Sequence, residues 1–179
     1  MKQIQLIAFD LDGTVLDSLK RLSGRNRAAL KACAEKGIVL VPATGRAAAG
    51  ISPAIRDIPG VRYGITTNGG TITDLKTGEI LDRQTISCEK ALRLMKVISR
   101  YHAMYDPYIN GRGITQPEFY DHMDEFGLTP VIQEMVRATR DVVLNIQDYV
   151  KQTGAEVEKI NIYLADLKDR EPLQRELEQ

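Results

Sequence analysis

The segment Ile4-Gln5-Leu6-Ile7-Ala8-Phe9 is nearly all apolar, and it stops abruptly at Asp10-Leu11-Asp12-Gly13-Thr14. So short and continuous a run predicts a strand covered on both faces, the usual situation in a parallel sheet coated by crossover helices. The segments behind it agree. From Arg25 to Lys36 the side chains of Ala29, Leu30, Cys33 and Ala34 recur at helical spacing, and Gly37 follows where a left-handed cap is needed. Ile38-Val39-Leu40-Val41 predicts a second buried strand. Ser52 supplies a hydroxyl N-cap and Pro53 a first-turn proline for a short helix that Pro59-Gly60 ends. Tyr63 to Thr67 predicts a third strand. Strands alternating with helices in this way predict an α/β domain built on a parallel sheet.

Past that strand the pattern changes. Thr71-Ile72-Thr73 and Glu79-Ile80-Leu81 flank a turn ending at Gly78, which predicts a hairpin. Glu89 to Tyr101 is an amphipathic helix with Leu92, Met95 and Ile98 on one face. Ala103 to Ile109 predicts a strand, and Asn110 to Gly113 a tight turn leading back. Pro117 to Phe126 and Pro130 to Arg140 read as helices and Val157 to Leu164 as a strand, while Asp169 caps a last helix reaching Gln179. The shift places a boundary near Gln84, between a parallel-sheet part over 1–84 and an α+β module over 85–179.

Composition removes several classes of function. Lys and Arg number 24 and Asp and Glu 24, so the net charge is zero, which argues against nucleic acid or an anionic membrane as partner. With 43% hydrophobic and 27% charged residues the chain reads as folded rather than disordered. The N-terminus carries no secretory signal pattern and no run approaches the length of a membrane span, so a cytoplasmic protein is expected. Cys33 and Cys88 lack the spacing of a disulfide framework or zinc site. His102 and His122 lack metal-ligand spacing, and Asp121, Asp124 and Glu125 fit a solvated helix face.

Chemistry concentrates at the end of the first strand. Ligands of open parallel sheets bind beyond the carboxyl ends of the strands. Residues two apart on an extended chain project to one side, so Asp10 and Asp12 can face one pocket. Two close carboxylates repel unless a cation separates them or one is protonated. Either arrangement is useful: a carboxylate on Mg²⁺ can attack a phosphoryl group, and a protonated one can serve the leaving oxygen. Gly13 permits a sharp turn, and Thr14 can bond nearby backbone. The second strand closes with Pro42-Ala43-Thr44-Gly45-Arg46 at the same sheet edge. There a hydroxyl and a glycine amide can hold phosphate oxygens and Arg46 can add charge. Taken singly, Asp-x-Asp also suits a solvated turn, and Thr44 a capped strand-to-helix turn.

Together, Ile7 to Ser18, Ala43-Thr44-Gly45-Arg46 and Thr67-Asn68-Gly69-Gly70 resemble the haloacid dehalogenase-like superfamily of phosphohydrolases, in particular its Cof-like group. The resemblance implies a Rossmann-like core, with residues 1–84 its N-terminal part, and an inserted α+β cap over 85–179 that selects the substrate. It implies that Asp10 is the nucleophile that becomes phosphorylated, Asp12 the general acid and base, and Thr44 a ligand of the phosphoryl group. Asn68 would lie near the substrate. Mg²⁺ would take the Asp10 carboxylate and the Asp12 main-chain carbonyl. The family's remaining motifs, a Lys and a Gly-Asp-x-x-Asn-Asp stretch, follow the cap, and neither is found here. Lys151, Lys159 and Lys168 fall in the presumed cap, and Asp166 and Asp169 lack the pattern. The chain is therefore expected to be truncated, leaving Ile4 to Phe9 as an exposed edge that invites self-association. The expected activity is Mg²⁺-dependent hydrolysis of a small phosphorylated metabolite, a sugar phosphate or phosphorylated cofactor, through an aspartyl phosphate. The alternatives are a phosphomutase-type transferase and a non-catalytic fragment acting as an interaction module.

Overall fold

The computed structural model describes residues 3–179. The chain divides into two compact units, Met1–Gln84 and Thr85–Gln179. In unit 1, β1 (Leu6–Phe9) leads to α1 (Gly24–Glu35), β2 (Val39–Pro42) and the short α2 (Pro53–Arg56), then to β3 (Tyr63–Thr66), β4 (Thr71–Asp74) and β5 (Ile80–Arg83). β1 and β2 run parallel in the register Leu6↔Val39 to Phe9↔Pro42. Parallel bridges Leu40↔Val61 and Ala43↔Ile65 continue to β3, and β3, β4 and β5 form an antiparallel meander. This is the mixed α/β architecture with a parallel sheet that the alternation of strands and helices predicts.

Local chemistry sets the ends of these elements. The Ser23 hydroxyl accepts from the Asn26 amide at 3.1 Å and opens α1, and Gly37, at φ 76°, lets the chain leave it. Leu11, Leu16, Leu40, Ile51 and Ile55 are buried between the helices and the sheet. Two features differ from the sequence reading. The Ser52 hydroxyl makes no cap bond; its carbonyl accepts from Ile55 and Arg56 instead. β1 is covered on one face only: Phe9 is buried, whereas Ile4 and Leu6 are 62% and 54% exposed. Among the described residues no strand pairs with its outer edge, and the apolar run that predicts burial on both faces leaves Ile4 and Leu6 exposed.

Unit 2 comprises α3 (Cys88–Ile98), β6 (Ala103–Ile109), β7 (Arg112–Thr115), α4 (Pro117–Tyr120), α5 (Pro130–Thr139), β8 (Arg140–Val142), α6 (Ile146–Thr153), β9 (Lys159–Leu164) and α7 (Arg170–Leu177). Its sheet has the order β8-β7-β6-β9, with β8 parallel to β7 and the other pairs antiparallel. β6 lies at the centre and is buried along its whole length. Residues 117–126 form no single helix, because α4 stops at Tyr120 and a 3-10 turn, Met123–Phe126, ends at Gly127 with φ 69°. The helix from Pro130 stops at Thr139, and Arg140 opens a three-residue strand. α6 has no counterpart in the sequence reading.

One buried ion pair is built into this sheet. Arg140 Nε donates to Asp106 Oδ2 at 2.7 Å, and the side chains are 3% and 0% exposed. Gly113 makes the room: a Cβ there would stand 2.7 Å from Arg140 Cδ. Among the described residues, none meets the geometry of a hydrogen bond to Asp106 Oδ1 or to the Thr115 hydroxyl. Cys33 and Cys88 are free thiols. Among the described residues no helix is long and apolar enough to cross a membrane.

Candidate active site

The site lies in unit 1, where β1 and β2 leave the sheet side by side. The Ala43 amide donates to the Phe9 carbonyl at 2.8 Å, so Asp10 and Thr44 begin their loops together. After Asp10 the chain folds on itself, with the Leu11 carbonyl accepting from Leu16 N at 2.8 Å and Gly13 at φ 81°. Leu11 and Leu16 are buried, and these anchors turn the carboxylates of Asp10 and Asp12 outward. Thr14 does not bond backbone through its side chain; its hydroxyl donates to Asp10 Oδ2 at 2.8 Å. That bond orients the carboxylate.

Thr44 is buried at the end of β2. Its amide donates to Ile65 O, its carbonyl accepts from Asn68 N at 3.2 Å, and its hydroxyl oxygen accepts from Arg46 N at 3.2 Å. The hydroxyl proton is left to donate outward. Thr67 and Asn68 both adopt left-handed backbone, φ 50° and 59°, and Gly69 follows at 92°. This turn presses the Asn68 side chain against the Thr44-Gly45 loop. A Cβ at position 45 would sit 2.5 Å from Asn68 Oδ1, so a side chain there would have to displace that of Asn68. Thr44, Gly45 and Asn68 therefore form one cluster, assembled from segments that are distant in sequence.

Arg46 makes contacts the sequence reading did not anticipate. Its Nε donates to Asp12 Oδ2 at 2.8 Å, its Nη2 to Asp12 Oδ1 at 2.7 Å, and its Nη1 to the Gly50 carbonyl at 3.0 Å. Lys20 adds a second cation, with Nζ 2.8 Å from Asp12 Oδ1. The Arg46 hydrogen bonds hold the Asp12 carboxyl down to about 2, with Lys20 reinforcing them and partial burial opposing. In this arrangement the Arg46 guanidinium pairs with Asp12, and the two cations favour the ionised form of the Asp12 carboxyl. Lys20 was missed in the sequence. The available signal was Asp17-Ser18-Leu19-Lys20-Arg21, a turn-forming run just after the paired aspartates.

Among the described residues no three His, Cys, Asp or Glu side chains converge as a metal cage. The donors present are nonetheless of the kind Mg²⁺ uses. Mg²⁺ binds through one or two carboxylates and keeps waters and substrate oxygens for the rest of its shell. The exposed Asp10 carboxylate and the Asp12 main-chain carbonyl meet that description, while the Asp12 side chain is committed to Arg46 and Lys20.

The profile of the haloacid dehalogenase-like hydrolases matches residues 7–179. The chain is 30% identical over 115 residues to phosphatase YwpJ of Bacillus subtilis, a match covering 64% of this chain and 40% of that protein. It is 31% identical over 98 residues to pyridoxal phosphate phosphatase YbhA of Escherichia coli, covering 55% and 36%. In three dimensions it is similar to a haloacid dehalogenase-like hydrolase from B. subtilis, with a TM-score of 0.75, 22% identity, and 98% of this chain against 67% of that one. A superfamily phosphatase from Bacteroides thetaiotaomicron gives 0.71, 21%, 97% and 60%. The matched segments thus span about two fifths of the curated relatives.

Proposed function

Because the chain belongs to the haloacid dehalogenase-like hydrolase family, we propose that unit 1 carries the phosphoryl-transfer site of a Mg²⁺-dependent phosphatase of small phosphorylated metabolites, acting in the cytoplasm. The observation that carries this reading is the pairing of an exposed, Thr14-oriented Asp10 with the buried Thr44 hydroxyl, both at the ends of adjacent parallel strands. Asp10 is the nucleophile. Its carboxylate oxygen attacks phosphorus, the bond to the leaving oxygen breaks, and an aspartyl phosphate forms. The Thr44 hydroxyl and the Gly45 loop hold the phosphoryl oxygens. The Asp10 carboxylate and the Asp12 carbonyl would hold Mg²⁺, which would supply charge neutralisation on those oxygens.

Asp12, ionised by its two cations, is suited to the second half of the reaction, taking the proton from the water that attacks the aspartyl phosphate. Donation to the leaving oxygen requires the same group to gain a proton, which Arg46 and Lys20 oppose. An aryl phosphate needs no such proton and is the less demanding probe, whereas a metabolite ester needs Asp12 to take up a proton and pass it to the departing alkoxide. The curated relatives named for pyridoxal phosphate and for a phosphoribitylamino-uracil support a small phosphorylated cofactor or precursor as the substrate class. Unit 2 is assigned the role of substrate-selecting cap. The test is Asp10→Asn, measured by Mg²⁺-dependent release of phosphate from p-nitrophenyl phosphate with EDTA as control. Turnover should vanish while the circular dichroism spectrum stays unchanged, and a variant with wild-type activity removes Asp10 as nucleophile.

A further inference from the structure

Lys20 occupies a backbone position that normally goes to glycine. Residues 16–22 form a small hairpin in which Leu16 pairs with Leu22, Asp17 N donates to Arg21 O at 3.0 Å, and Lys20 N donates to Asp17 O at 2.9 Å. This is the three-residue loop in which a turn is followed by one left-handed residue, a place usually given to Gly. Here that residue is Lys20, at φ 60°. The loop is fixed: Asp17 Oδ1 accepts from the amides of Leu19 and Arg21, each at 2.9 Å, and Oδ2 from Arg21 Nε at 3.2 Å. A lysine held in left-handed backbone by so well-bonded a turn is strained, and strain of this kind concentrates at functional sites.

The contact with Asp12 does not account for that strain. Arg46 already donates to both oxygens of the Asp12 carboxylate, so the Lys20 ammonium is a third, redundant partner on Oδ1. Lys20 is also more than half exposed, where an ion pair contributes little to stability. Its effect on the charge of the site is larger. Asp10 and Asp12 bring two negative charges and Arg46 and Lys20 two positive ones, so Lys20 makes the side chains of the site neutral and leaves the charge of a bound Mg²⁺ to meet the phosphate. A phosphate monoester arriving there carries a charge of about −1.5 to −2. An ammonium on a flexible stem has three donors, enough to keep a carboxylate and take up a phosphoryl oxygen.

We propose that Lys20 is a phosphate-contacting residue, its ammonium bridging Asp12 and a phosphoryl oxygen of the ester bound beside Asp10. The proposal rests on the phosphatase reading of Asp10 and Asp12. The hairpin supplies an unusual test, because Lys20→Gly and Lys20→Asn both relieve the backbone and should leave the thermal midpoint equal or higher. Binding of inorganic phosphate in the presence of Mg²⁺, followed by phosphorus NMR titration, is the readout. Both variants should bind about tenfold to a hundredfold more weakly, the usual loss for a charge-assisted bond, and Lys20→Arg should stay within about threefold of wild type. If Lys20→Asn binds phosphate as tightly as wild type, the assignment falls. Asp10→Asn, assayed beside it with p-nitrophenyl phosphate, separates the two readings. Wild-type turnover abolished by that change, together with an unaffected Lys20→Asn, would remove Lys20 alone; a wild type that neither binds phosphate nor turns over would remove both.

Discussion

β6 of unit 2 is buried at all seven positions and still contains an aspartate, whereas β1 of unit 1 is buried only at Phe9 and delivers the chain to two aspartates in the open. Each unit pairs a carboxylate with an arginine at the same 2.7 Å. The two carboxyls are nevertheless pushed in opposite directions. Asp12, about a third exposed, is held down to about 2 because the Arg46 hydrogen bonds dominate. Asp106, with no exposed surface, is pushed up to about 6 because burial outweighs its attraction to Arg140. The same pair of groups is thus held charged where water reaches it and has its carboxyl pushed towards the neutral form where water does not.

The largest consequence is mechanical. Arg140→Met removes the arginine partner of the buried Asp106 carboxyl and should cost about 3–5 kcal/mol, visible as a lower urea midpoint for unit 2. Arg46→Met leaves Asp12 with Lys20 and solvent and should cost less than about 1 kcal/mol. Equal costs would mean that burial does not divide the two pairs.

Next in size is the response to pH, which should run in opposite senses. The folded-state value of Asp106, about 6, lies above its ordinary 3.8, so the folded protein binds the extra proton between them. That stability is fully present below about pH 4 and is lost as pH rises through 6. For Asp12 the folded value lies below the ordinary one, so its contribution is present above about pH 4 and lost as pH falls through 2. Hydrogen exchange of amides in each unit, measured from pH 2 to 7, checks both slopes. Asp106→Asn should flatten the slope of unit 2 alone.

These pairs also mark the limit of what the sequence makes legible. Asp10 and Asp12 could be placed because an apolar run followed by a turn is a local pattern, and the same holds for β1, β2, α1 and the division of the α/β segments. The partner of Asp12 could not, since Arg46 lies 34 positions away and two basic residues compete for the contact. Arg140 was read as the end of a helix. It opens a strand because Gly113 and Asp106 accept it there, and nothing near position 140 records that. α6 was missed for another reason. Its Asn145 cap, bonded to Asp148 N at 3.0 Å, and its left-handed Gly154 are ordinary signals, but eight residues give little more than two turns of periodicity.

The smallest expected change in monomer stability belongs to the open strand. Leu6 is 54% exposed on β1, beside an edge that no described strand occupies, and flat apolar edges of this kind pair with further chains. In unit 2 the edge strands are β9, of six residues, and β8, of three, and an edge as short as β8 offers too few backbone groups to template pairing. Lys at position 6 would place a charge in any strand-to-strand contact while altering the fold by no more than about 0.5 kcal/mol. Leu6→Lys should therefore raise the monomer fraction seen by light scattering at fixed protein concentration. Val142→Lys, at an equally exposed position on β8, should leave it unchanged. A wild-type chain that is already monomeric, or a Val142→Lys effect as large as that of Leu6→Lys, would show that the β1 edge does not govern association.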